Sequence, residues 1–412
     1  MTNYQFISEK YFLKLCGFRK GHSTQHALLN MLNEWYQTLD NSGIVGTILM
    51  DLSKAFDSLN HDLLIAKLAA YGVDPYCLKF LRSYLSNRFQ RTKIGSSFSE
   101  WLEVLLGVPQ GSILGPLLFN IFINDLLIVF ERFICNFADD NTIFSCGEST
   151  EEVISHLKSL LHEALKWFSA NMLVVNPKKF QMMFLGCPSV DIQIKINNDI
   201  TLHALDTVKL LGVTIDNKLS FKTHVANLCQ KATQSIRSFN RIRRYLNVDQ
   251  CLLLLNSYIL SAFSYAPILW MFGSKSSSKA INDIHKRALR IVYGTSNGTL
   301  HDLLKTNNLV RIHELHLRQL LCEIFKIMNM LNPPVTRDLF KVKDVTYTLR
   351  INNLVIVPKV KTTSFGTNTF RFRGSLLWNS LPDNLKLAES VNQFKVSLKN
   401  CELTRFCTCN QC

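Results

Sequence analysis

Apolar and polar positions follow two different periods along the chain, and each period predicts a different element. Residues 44–50, Ile-Val-Gly-Thr-Ile-Leu-Met, form a short β-branched apolar run, which predicts a buried strand that ends at Asp51. Apolar runs at 133–137 and 142–144 flank Ala138-Asp139-Asp140-Asn141, so a tight hairpin with two carboxylates at its turn is expected. Over 151–170, Ile154, Leu157, Leu161, Ala164, Leu165 and Phe168 recur at the spacing of an amphipathic helix. The stretches 180–185, 192–196 and 208–215 read as further strands, with Asn197-Asn198-Asp199 as a turn. The first half is therefore mixed α and β.

From 219 to about 330 the pattern turns helical and basic, with His285-Lys286-Arg287 and Arg290 set among apolar residues. Asn332-Pro333-Pro334 breaks it, and the remainder is rich in Thr, Asn, Lys and Arg. A length of 412 residues exceeds one compact domain, and the expected units are 1–221, 222–331 and 332–412. The stretch 251–274 carries no formal charge and is long enough to cross a bilayer as a helix. Asn256, Ser257, Ser261, Ser264 and Pro267 within it, and Arg241, Arg243 and Arg244 before it, favour a buried helical pair instead. No stable membrane association is expected, and no obligate protein partner is evident.

Composition narrows the function. Forty-six Lys and Arg against 31 Asp and Glu leave a formal +15, which favours a polyanionic partner such as nucleic acid, and an anionic membrane surface would also fit. With 47% apolar residues the chain is a folded protein and not a disordered tail. Residues 1–17 lack the basic-then-apolar layout of a secretory signal, and the twelve cysteines are spread along the chain. Reduced thiols in the cytoplasm and nucleus are the expectation. Cys401, Cys407, Cys409 and Cys412 could supply four thiolates to zinc, but four ligands in twelve residues strain a closed site, and a reduced terminus is the plainer reading.

Three blocks carry chemistry: Asp51-Leu52-Ser53-Lys54-Ala55-Phe56-Asp57, Gly107-Val108-Pro109-Gln110-Gly111-Ser112-Ile113-Leu114-Gly115-Pro116, and Phe137-Ala138-Asp139-Asp140. In this order they resemble motifs A, B and C of reverse transcriptases. The non-LTR retrotransposon branch is the nearest match, because Gly17-Phe18-Arg19-Lys20-Gly21-His22-Ser23-Thr24 precedes motif A as it does there. Asn176-Pro177-Lys178-Lys179 is similar to motif D, Leu210-Leu211-Gly212-Val213-Thr214-Ile215-Asp216 to motif E, and Trp378-Asn379-Ser380-Leu381-Pro382 to the tail of such elements.

The resemblance implies an α+β right-hand polymerase fold, fingers and palm, followed by a helical thumb and a small C-terminal region. It implies an RNA-directed DNA polymerase that extends a DNA primer on an RNA template with deoxynucleoside triphosphates. Such chemistry uses two Mg²⁺ ions, ~3.5–4 Å apart, with Mn²⁺ as an alternative. Hard cations take oxygen ligands, and the resemblance assigns Asp51 and Asp139 as those ligands, with Asp140 a supporting charge. Phe56 stands at the steric-gate position beneath the incoming sugar, or else is an ordinary core ring. Gln110 and Gly111 would face template and nucleotide. Lys179 would protonate or offset the departing pyrophosphate, or remain a solvated charge. Arg19 and Lys20 would touch phosphates or face water.

Relatives of this kind carry upstream fingers and palm segments, and usually an endonuclease, that this sequence lacks, so an N-terminally truncated element is expected. Two functions stay open: the polymerase, and a catalytically inactive nucleic-acid-binding remnant.

Overall fold

The computed structural model describes residues 15–187, 191–196, 199–343 and 354–407. They form two compact units, one of residues up to Ala27 with Gly43–Leu205, the other of Leu28–Ser42 with Asp206 onward. The helix α1 (Thr24–Asp40) contributes to both.

The first unit is organised by a four-stranded antiparallel sheet. Strand β1 (Ile44–Met50) runs between β7 (Asp140–Gly147) and β8 (Gln181–Leu185), and β6 (Ile134–Phe137) pairs on the far side of β7. Because β1 is interior, it is buried almost throughout, which is why its sequence is an unbroken apolar run. Thr47, its polar exception, donates its hydroxyl to the Ile143 carbonyl at 3.1 Å. Helix α5 (Thr150–Ala170), capped by Ser149 on the Glu152 amide, lays Val153, Leu157, Leu160, Leu161, Ala164 and Phe168 against the sheet. Helix α4 (Leu114–Phe130) is apolar nearly all round and sits in the same core. Helices α2 (His61–Ala70) and α3 (Pro75–Leu85) follow β1, and an antiparallel ribbon leads from them to α4. Its ladders pair β2 (Phe89–Gln90) with β5 (Leu102–Glu103), and β3 (Lys93–Ile94) with β4 (Ser97–Phe98). Every residue from 86 to 103 is exposed, and Arg91 lies over the rings of Phe98 at 4.0 Å and Trp101 at 4.5 Å. The small hairpin β9 (Gln193–Lys195) and β10 (Thr201–His203) closes the unit. The turn expected at 197–199 falls partly outside the described residues.

The second unit corrects two readings. Residues 208–215 are not one strand but a hairpin, β11 (Thr207–Leu210) and β12 (Val213–Asp216). Leu211 and Gly212 both take positive φ, 45° and 82°, the conformation of a two-residue type I′ turn. A leucine at the first turn position hides the signal that Asn or Gly would give. The 251–274 stretch is not a helical pair either. It breaks into α7 (Val248–Leu254), a π-turn at Leu255–Ile259, a 3₁₀ turn at Leu260–Phe263, and the short α8 (Pro267–Trp270). Pro267 starts the last of these, and the Ser257 and Ser261 hydroxyls bond back to carbonyls four residues earlier. No helix among the described residues is long and apolar enough to cross a membrane.

Asp216 ties the hairpin to α6 (Lys222–Ile242), because its carboxylate accepts the amides of Lys218, Ser220 and Phe221 and the Ser220 hydroxyl. Arg243 donates to the carbonyls of Ile291 and Val292, which end α9 (Lys275–Tyr293). That arginine of the basic stretch is spent on capping. The segments that composition separates at 332 share one core: Phe394, in a helix at Val391–Lys399, stacks on Phe325, in a helix at Ile312–Met328, with centroids 4.4 Å apart.

Candidate active site

The sheet register brings the carboxylates together. Met50 pairs with Asn141, so Asp51 leaves β1 at the sheet end where Asp140 opens the antiparallel β7. The β6–β7 connection is a turn of only two residues, Ala138 and Asp139, tighter than the sequence suggests, with Asp140 already paired to Phe137. Ala138 takes φ 58°, where glycine is usual. Two buried asparagines hold this turn. Asn136 Nδ2 donates to the Ala138 carbonyl at 2.7 Å and to Asn141 Oδ1 at 2.9 Å, and Asn141 Nδ2 donates to the Asp139 carbonyl at 3.0 Å. Neither was singled out from the sequence, although their placement either side of Asp139-Asp140 was a usable signal.

Gly17 presses on the same turn. A Cβ there would lie 2.5 Å from the Ala138 nitrogen, so only glycine fits, and its carbonyl accepts from Asn120 Nδ2 at 2.9 Å. Gly17→Ala is expected to cost about 1–3 kcal/mol. Thermal denaturation should register it as a drop of roughly 2–4 °C per kcal/mol. The added methyl must also displace the turn that carries Asp139.

Asp51 is half-exposed, and Lys179 Nζ lies 3.1 Å from its Oδ2. The approach is built by the backbone: Asn176 N donates to the Asp51 carbonyl, Ser53 N to the Val174 carbonyl, and the 3₁₀ turn Pro177–Lys179 then swings the lysine back. Asp139 and Asp140 both reach solvent. Partial desolvation of the Asp140 carboxyl, and then the charges of Asp139 and Asp51, raise it above its ordinary value. The three acids therefore share one negative field.

That field and an all-oxygen donor set fit a hard divalent cation in kind. Among the described residues no group of three or more His, Cys, Asp or Glu converges on one point. Two carboxylates are a partial set, as Mg²⁺ completes its shell from water and phosphate.

Phe56 sits in the 3₁₀ turn Ala55–Asp57, stacked on Phe119 at 4.3 Å and edge-on to Phe18 at 5.6 Å. Gln110 and Gly111 are exposed, Gly111 with φ 78° and open space where a Cβ would stand. The Ser112 hydroxyl accepts the Gly115 amide at 2.9 Å and so caps α4. Gln110 Nε2 donates to Asp57 Oδ1 at 2.8 Å. Arg19 donates to the Leu15 carbonyl, and Lys20 is exposed. Four acid and amine groups, Asp51, Asp139, Asp140 and Lys179, are thus gathered at one sheet end, while Phe56 lies in the turn that follows Asp51 and Gln110 reaches that turn through Asp57. Of the terminal cysteines, Cys401 is half-buried and Cys407 Sγ lies 3.7 Å from His313 Nε2. Cys409 and Cys412 lie outside the described residues.

Comparison with known proteins bears on this constellation. Residues 3–215, just over half the chain, match the family model of the reverse transcriptase (RNA-dependent DNA polymerase). The chain is 27% identical to the probable RNA-directed DNA polymerase from transposon BS of Drosophila melanogaster, over 73% of this chain and 34% of that protein. It is 26% identical to the RNA-directed DNA polymerase from mobile element jockey of Drosophila funebris, over 68% of this chain and 31% of that one. It therefore spans about a third of the length of these relatives. Among solved structures, a telomerase from Candida tropicalis in complex with a telomeric RNA fragment matches 96% of this chain and 55% of that one, at 9% identity and a TM-score of 0.39.

Proposed function

The chain belongs to the reverse transcriptase family, on the branch of non-LTR retrotransposons, and on that footing we propose that it extends a DNA primer on an RNA template with deoxynucleoside triphosphates. The observation that carries this reading is the carboxylate group at the end of the four-stranded sheet, with Lys179 reaching Asp51. In this reading the first unit holds fingers and palm, and the helical, basic part of the second is a thumb along the primer–template duplex.

Asp51 and Asp139 would hold two Mg²⁺ or Mn²⁺ ions, which when bound polarise the 3′-hydroxyl and stabilise the leaving pyrophosphate. Lys179, held 3.1 Å from Asp51 Oδ2, stands beside that carboxylate and would be placed to donate to the departing pyrophosphate. Asp140 adds negative field without ligating. Arg19 and Lys20 lie on the segment whose Gly17 presses on the Asp139 turn, and would meet phosphates there.

Phe56, braced by Phe119 and Phe18, would stand beneath the sugar and exclude a 2′-hydroxyl. Phe56→Val is expected to relax discrimination against ribonucleotides by roughly 10- to 100-fold, about the worth of one methylene in a pocket. Single-nucleotide incorporation with paired dNTP and rNTP titrations reads this directly.

The whole reading is tested by primer extension with the full chain, an RNA template, a DNA primer, Mg²⁺ and dNTPs. Template-dependent extension supports it. Tight binding of primer and template with no extension in either Mg²⁺ or Mn²⁺ would favour the inactive remnant.

A further inference from the structure

We propose that Asp57 is a positioning residue, whose carboxylate holds the Gln110 amide and so fixes the tip of the loop 107–111 against the turn that carries Phe56. The proposal rests on the polymerase reading of that loop and deepens it.

The two segments are joined first by backbone. Gly107 N donates to the Leu59 carbonyl at 2.7 Å, Val108 N to the Phe56 carbonyl at 2.8 Å, and Asn60 and Leu106 form an antiparallel bridge. His61 Nε2 lies 2.7 Å from the Gly107 carbonyl, and donates to it. Contact is close enough that a Cβ on Gly107 would meet Asp57 Cα at 2.6 Å. This backbone zipper ends at Val108.

Beyond it the loop closes on itself, the Ser112 amide donating to the Pro109 carbonyl at 3.3 Å, and has little to tie it to the turn 55–61. Pro109 has no N–H to give, and Gly111 sits at φ 78° in open space. Among the described residues, the hydrogen bond that ties 109–111 to the turn 55–61 is the one from Gln110 Nε2 to Asp57 Oδ1, at 2.8 Å. An ionised carboxylate can only accept, so it commits the Gln110 amide nitrogen to itself and turns Oε1 the other way. Gln110 then presents a carbonyl oxygen in a fixed direction, able to accept a hydroxyl or amino hydrogen from nucleotide or template. Without Asp57 the amide is free to rotate and to present either end.

A hydrogen bond to a charged acceptor at an exposed site carries a preference of about three- to tenfold. Asp57→Ala is therefore expected to raise KM for dNTP by about that factor with little change in kcat. Asp57→Asn, which keeps an acceptor oxygen, should restore most of it. In a double-mutant cycle, Gln110→Ala should add little in the Asp57→Ala background.

The proposal is overturned if wild type extends primers and the two alanine substitutions act additively on KM, or if Asp57→Ala lowers kcat and melting temperature while KM stays put. Absence of extension by wild type would instead count against the polymerase reading. In that case the same cycle is read in thermal denaturation, where coupling between the pair supports the proposal and additive losses sink it.

Discussion

Asp139→Asn is expected to abolish primer extension, by on the order of 10³-fold, the rate equivalent of several kcal/mol of lost stabilisation. Binding of primer and template should stay within about twofold, since most of that affinity comes from contacts to phosphates elsewhere on a basic chain. Folding should survive, because Asn136 and Asn141 hold the turn through the backbone carbonyls of Ala138 and Asp139, not through the Asp139 side chain. Asparagine is also at home in turns. The substitution thus removes a charge and little else. Undiminished extension by Asp139→Asn would take this residue out of the proposed metal-binding pair, whereas loss of binding as well would point to a folding defect. Asp140→Asn should cost much less.

The second large effect is on stability. His224 and His285 are held down to about 4, and His316 to about 3, in each case first by burial. All three lie in the second unit. Trp270 sits between two of them, 5.8 Å from His224 and 5.1 Å from His316. His224 Nδ1 accepts the Thr214 amide, which only an unprotonated nitrogen can do, whereas the Phe263 carbonyl that accepts from His316 Nε2 favours the charged ring and is outweighed by burial. The unfolded chain takes up these protons near an ordinary histidine value of about 6.5, and the folded chain does not. Their contribution is therefore complete above about pH 6.5 and is lost as pH falls toward 4.

Melting curves between pH 7.5 and 4.5 should show the second unit losing stability steeply, as several kcal/mol are withdrawn across this window. His285→Leu removes one of the titrating groups and fills its apolar site, so it should flatten the slope. A slope unchanged by that substitution would show that His285 is not buried in its neutral form.

Much of the candidate site was legible in the sequence because its parts are local. An apolar run ending in an acid is a strand with a carboxylate at its exit, and Asp51 was readable from 44–50 alone. The Asp139-Asp140 hairpin was equally plain. What could not be read are the pairings across long sequence separations. Gly17 looks like any loop glycine until Ala138 stands against it, and Lys179 looks like any solvated lysine until the 174–176 backbone lines up beside Asp51. Asp57 carries no signal of its own until the Gln110 amide, 53 residues on, donates to it. In the second unit the obstacles differ. Leu211 takes a positive φ against its preference, and the uncharged 251–274 stretch is broken by Pro267 and by serines that bond back onto the helix.

The exposed ribbon at 86–103 is the long surface excursion between the strand that ends at Asp51 and the hairpin that carries Asp139. It is also where trypsin finds Arg88, Arg91 and Lys93, in a two-stranded element that is marginal in water. A cut there severs the chain but not the sheet. Strand β1 of the N-terminal piece lies between β7 and β8 of the C-terminal piece, in register from Ile44 with Gly147 and from Val45 with Leu185. Limited digestion should give two bands on a denaturing gel and one peak in size exclusion. The chain would then be a split protein, whose halves each carry one of the two proposed metal-binding acids and become whole only when expressed together.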